Sequence, residues 1–163
     1  MDLDRPRRRI RLSGADFGGS SCFQSCRLRS SWRHFTTKKG ETVKVIYIAG
    51  PYRDEYEYRR FENLLVARSA ALTLWNLGVV PVVPHLLTFT LAGIVPEGAF
   101  LEGLKSLLAH CDAVYFLPGW DRSEGCRKEY DFATERGIPK FFYLADLSEW
   151  LKKEERRQSH ADS

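Results

Sequence analysis

The sequence has no apolar run near the roughly 18–20 residues that a membrane-crossing helix needs, and no membrane span is expected. Cysteine is scarce, with only Cys22, Cys26, Cys111 and Cys126 among 163 residues. That set does not form the disulfide framework of a small secreted domain, so a reducing, cytoplasmic setting is the expectation. Cys22 and Cys26 lack the second ligand pair that a zinc site requires, while Cys111 and Cys126 sit in apolar patterns as core thiols. No metal is expected. Acidic residues are sparse early in the chain: residues 1–40 hold 10 Lys/Arg and 3 Asp/Glu, a balance of +7, against 15 and 18, or −3, for residues 41–163. The basic character therefore belongs to the tail, and the mildly acidic remainder does not read as a general nucleic-acid binder.

Residues 1–40 also lack sustained periodicity and are rich in Arg, Ser and Gly. They read first as a disordered, solvated tail or an over-extended start. An organelle transit segment is one alternative, weakened by Asp2 and Asp4. Nucleic-acid contact by this arm is the lesser reading. Residues 41–155 carry the periodic patterns of one domain, and 156–163 read as a frayed end.

Within that domain strands and helices alternate. Val43–Ala49 is an almost continuous β-branched run, the pattern of a strand buried on both faces. Arg59–Leu77 reads as a helix with Phe61, Leu64, Leu65, Ala71, Leu72 and Trp75 inward and Gly78 closing it. Val79–Val83 is a short strand in which Pro81 favours an edge position. Residues 86–95 are apolar but irregular, a loop or lid. Glu97–His110 is a second helix with Phe100, Leu104, Leu107 and Leu108 inward. Asp112–Leu117 is a third strand and Lys140–Leu144 a fourth, with a terminal helix over Leu147–Glu155. The expected fold is α/β: a doubly wound, flavodoxin/Rossmann-like parallel sheet of about four to five strands with helices on both faces. The first and third strands should be neighbours, with a ligand crevice above their carboxyl ends.

The most informative stretch is Leu117–Ala133, LPGWDRSEGCRKEYDFA. A strand, a glycine-bearing turn and a helix start near Ser123 make an anion-binding arrangement, because the first helical amides lack internal partners. Ser123 suits the N-cap and offers a hydroxyl, and Gly125 lets a ligand approach the backbone. On the helix, Glu124, Lys128, Asp131 and Glu135 share a solvated stripe, and Cys126, Tyr130 and Ala133 share the opposite, buried one. Glu129 lies off the charged stripe, on the shoulder of the buried one. Such a carboxylate either pairs with a base such as Arg136 or lines a pocket beside the anion site.

Four segments, Tyr47-Ile-Ala-Gly-Pro51, Cys111-Asp112-Ala-Val, Leu117-Pro-Gly-Trp120 and Ser123-x-Gly-x-x-x-Glu129, together resemble the nucleoside 2-deoxyribosyltransferase superfamily. The likeness covers about residues 43–145 and looks closest to a small phage and bacterial branch, related to deoxynucleoside-monophosphate N-glycosidases. It implies that Glu129 is the nucleophile attacking the sugar C1′ and that Tyr47 holds its carboxylate. It also implies that Ser123 is the phosphate-binding serine of the glycosidases and that the protein is a homo-oligomer; Gly125 and Gly50, in the two turns, complete the expected site for a nucleoside or nucleotide, and no cofactor is expected. Arg53, in the turn after the first strand, could add a phosphate contact. One position departs from the pattern. The family usually has an aspartate about eight residues before Asp112, to protonate the leaving base, and Leu104 stands there. Glu97 and Glu102 are the nearest acids, His85 is a candidate substitute, and Trp120 and the 86–95 segment are apolar enough to join a neighbouring copy.

The leading expectation is therefore an enzyme of the N-glycosidic bond. The alternative is a nucleotide-sensing module of the same fold that performs no chemistry. A phosphoribohydrolase of the lysine-decarboxylase-like fold fits less well, since Pro118-Gly119-Trp120 lacks that family's second glycine.

Overall fold

The structure, a computed structural model, describes residues 42–89, 91 and 94–161. The basic tail, with Cys22 and Cys26, lies outside them. The elements run β1 (Val45–Ala49), α1 (Glu57–Asn76), β2 (Val80–Val82), α2 (Pro84–Phe89), α3 (Glu97–Leu108), β3 (Ala113–Phe116), a single 3-10 turn (Trp120–Arg122), α4 (Glu124–Glu135), β4 (Lys140–Phe141) and α5 (Leu144–Ala161). Four strands form one parallel sheet in the order β2-β1-β3-β4. Pro81 sits in an edge strand, where the N–H it lacks is not missed. The β1–β3 pairing runs from Ile46 opposite Ala113 to Ala49 opposite Phe116, and the strand order reverses at this pair.

Side chains alternate across β1 and feed two cores. Ile46 and Ile48 pack with Ala67, Ala71 and Leu74 of α1 and with Leu147 and Leu151 of α5. Tyr47 and Ala49 pack on the other face with Leu108 of α3, Val114, Phe116 and Ala133 of α4. This two-sided burial explains the continuous apolar character of β1, and it aims Tyr47 at α4.

Four expectations need correcting. The buried face of α1 is Leu64, Ala67, Ala71 and Leu74, whereas Phe61, Leu65 and Leu72 are exposed. Residues 86–89, expected to open a loop or lid over 86–95, belong instead to a helix that starts at Pro84, whose fixed φ suits the first helical position. Strand β4 has only two residues. Leu144 instead begins the helical spacing that continues through Leu147, Trp150 and Leu151, so α5 starts earlier than expected and runs to Ala161, through residues expected to fray. Among the described residues no helix is long and apolar enough to cross a membrane.

Asp112 fixes where β1 starts. Its Oδ2 accepts the Val45 N–H at 2.7 Å and its Oδ1 accepts from Lys44 Nζ at 3.0 Å. The Asp112 N–H in turn donates to the Val45 carbonyl at 2.8 Å. Asp112→Ala should leave the Val45 N–H without its acceptor and cost about 2 kcal/mol, while Asp112→Asn, which keeps an acceptor, should cost less. Chemical denaturation of both variants measures the difference.

Candidate functional site

The two turns expected to share a crevice do meet. The Leu117 N–H donates to the Ala49 carbonyl at 2.8 Å. Gly50 is buried against Leu117 so closely that an added Cβ would stand 2.7 Å from Leu117 Cδ1, so any side chain there would push the turns apart. Gly119 takes φ +81°, which turns the chain from β3 towards the 3-10 turn. Ser123 then caps α4, its Oγ accepting the Cys126 N–H at 3.4 Å. Arg53 lies in the first turn, and its charge reaches Glu124 at the start of α4, helping to hold that carboxyl below its ordinary range after the larger effect of Lys128.

At the centre, the hydroxyl of fully buried Tyr47 donates to Glu129 Oε1 at 2.6 Å. A buried tyrosine hydroxyl requires a partner, and an ionised carboxylate is the strongest acceptor available. Burial pushes the Glu129 carboxyl up to about 7, and hydrogen bonds from Tyr47 and the Cys126 thiol pull in the other direction. Tyr47 is raised well above its ordinary range, first by burial and then by Glu129, and stays a donor. Burial likewise pushes Cys126 up to about 12, so it remains a thiol. Glu129 therefore pairs with Tyr47 rather than with Arg136, whose guanidinium lies over the Phe132 ring.

Glu129 forms part of the wall of a cavity of about 370 Å³ between α3 and α4. Gly125 and Lys128 line it from α4, and Gly98, Leu101, Glu102, Leu104 and Lys105 line it from α3. Glu102 accepts from Lys105 Nζ at 3.0 Å at this wall. Leu104, at the position where an acid was sought, presents an apolar surface instead. His85 sits elsewhere, under the first turn. It is buried, its Nε2 lies 3.0 Å from the Gly50 carbonyl, and its ring meets Tyr52 edge-on. Burial lowers its pKa, so the neutral ring donates from Nε2 and fixes the Gly50 turn. Trp120 stacks on Tyr130, with ring centroids 5.0 Å apart, in a cluster with Phe116 and Phe142. Among the described residues no three His, Cys, Asp or Glu side chains gather to hold a metal ion.

The family described as a domain of unknown function (DUF4406) matches residues 44–142, most of the described chain. The chain belongs to that family. No curated protein matches it. The matched residues of this DUF4406 domain span all four strands and contain both turns, Tyr47 and Glu129.

The supporting part of Cys126 was missed in the sequence, although its position three residues before Glu129 places the two on neighbouring turns of one helix. The cavity wall from α3 carried no sequence signal beyond ordinary helical spacing.

The raised Glu129 pKa has a consequence for stability. The folded state holds this proton more tightly than the unfolded chain, so the contribution is fully present below about 4.5 and is lost as pH rises towards 7. Glu129→Gln, isosteric and uncharged, should gain on wild type progressively across that window, reaching roughly 3 kcal/mol above it. Unfolding free energies at pH 5 and pH 8 check this.

Proposed function

We propose that this chain cleaves or transfers at the N-glycosidic bond of a nucleoside or nucleoside 5′-monophosphate, with Glu129 as nucleophile. The observation that carries the reading is the 2.6 Å contact from Tyr47 to Glu129 at the wall of a cavity beside the capped start of α4. A carboxylate that is largely desolvated yet hydrogen-bonded in its charged form suits capture of an oxocarbenium-like centre. In the first step Glu129 bonds to C1′, the C1′–N bond breaks, and its electron pair leaves with the base, which takes a proton from water because Leu104 supplies none. In the second, water or an acceptor base attacks C1′ and frees the carboxylate. The helix start at Ser123 and Gly125 suits a 5′-phosphate, with Arg53 in the facing turn. The likeness of the Tyr47–Pro51 and Ser123–Glu129 segments to nucleoside 2-deoxyribosyltransferases supports the same chemistry.

Leu104 and Leu101 in the cavity wall favour a second reading, a nucleotide-binding module that has lost the acid step. Turnover separates the two. The protein should release or exchange free base from one member of a panel of deoxy- and ribonucleoside 5′-monophosphates. Glu129→Ala should lose on the order of 10³-fold or more, about 4 kcal/mol. Binding without base release from wild type would establish the sensing module instead. Because the nucleophile must be ionised, kcat/KM should fall below the Glu129 pKa of about 7. Tyr47→Phe, which removes a donor to the charged form, should move that limb to higher pH.

A further inference from the structure

Glu129 is a buried carboxylate whose charge no neighbour answers. Its hydrogen bonds come from the Tyr47 hydroxyl and the Cys126 thiol, and both donors are neutral. Among the described residues no cation pairs with it. Lys128, the preceding residue on α4, pairs with Glu124 at 2.7 Å. Lys105, on the α3 wall of the cavity, pairs with Glu102 at 3.0 Å. A desolvated anion without a cationic partner is costly, and a cation that enters beside it relieves that cost.

The same wall has little to protonate a departing base. Leu101 and Leu104 face the cavity from α3 and carry no acidic proton. Glu102 is an ion-paired carboxylate whose side chain is 75% exposed. Both lysines are ammonium groups already held by carboxylates. The cavity therefore combines an unanswered negative charge with an apolar wall.

We propose that the substrate is a nucleotide whose base already carries a positive charge on the ring, of the N-glycosylpyridinium or N7-alkylpurine class. This rests on the glycosidic reading of the site and narrows it. The flat base lies against Leu101 and Leu104, and its charge, shared by the nitrogen bonded to C1′, faces Glu129. A Glu129 oxygen bonds to C1′, the C1′–N bond breaks, and its electron pair neutralises the ring. The base departs as a neutral molecule and needs no proton. Water then attacks C1′, frees the carboxylate and gives its proton to solvent. A neutral base would depart as an anion unless water protonated it, which is the slower route.

Two measurements test this. The first compares base release from 7-methylguanosine and guanosine 5′-monophosphates, which differ by one methyl group and one charge. Both are used as ribo- and 2′-deoxyribonucleotides, with uncatalysed release subtracted. kcat/KM should favour the methylated nucleotide ~100-fold or more, and Leu104→Asp, which puts an acid in the wall, should narrow that preference ~10-fold. Equal rates on the two overturn this inference and leave the glycosidic reading standing, whereas release from neither overturns the glycosidic reading itself. The second measurement is independent of turnover. Calorimetry compares N1-methylnicotinamide, a permanent cation with no glycosidic bond, with neutral nicotinamide. The cation should bind ~10-fold or more tightly, and Glu129→Gln should abolish the difference. Equal affinities, or a preference that survives Glu129→Gln, overturn the inference.

Discussion

The hydrogen bond from Tyr47 to Glu129 joins residues 82 positions apart in sequence, and the rest of the fold is arranged so that they meet. Tyr47 must sit on a strand buried on both sides, with its side chain on the face that α3 and α4 cover. Glu129 must sit on the shoulder of α4, one and a half turns beyond the Ser123 cap. The β1–β3 pairing sets the height of the strand ends, and the Gly50–Leu117 contact holds the two turns together. A one-residue slip of β1 would turn Tyr47 to the opposite face and place Ile46 or Ile48 where the hydroxyl now stands.

Two opposing effects set the chemistry of Glu129. Burial favours the protonated acid, while the Tyr47 hydroxyl and the Cys126 thiol favour the carboxylate, and the balance lies at about 7. Neither donor loses its proton near neutrality, because both are themselves pushed to higher pKa. The group is thus destabilising when charged yet remains ionisable in the physiological range. This is a common arrangement at sites where reactivity takes precedence over stability.

Much of this was legible in the sequence where one physical demand dominated. Glu129 stood out because a carboxylate off the solvated stripe needs a reason. Ser123 was readable as a cap, and the doubly buried β1 and the edge position of β2 followed from apolar continuity and from Pro81. Legibility failed where two demands overlapped. Phe61, Leu65 and Leu72 follow helical spacing as faithfully as Leu64, Ala71 and Leu74 do, and spacing alone cannot say which apolar face meets the sheet. The same overlap at residues 140–144 made a strand of what is partly a helix start. His85 and Trp120 were open to several readings, and the structure adds a partner for each: the Gly50 carbonyl for one and the Tyr130 ring for the other.

We propose that Glu129 is a nucleophile held ready by Tyr47. Its most direct test is peptide-mapped mass spectrometry of a reaction rapidly quenched with a nucleotide substrate. A covalent sugar-phosphate adduct on Glu129 is expected, absent in Glu129→Gln and reduced in Tyr47→Phe. An adduct on another residue, or undiminished base release by Glu129→Ala, would contradict it.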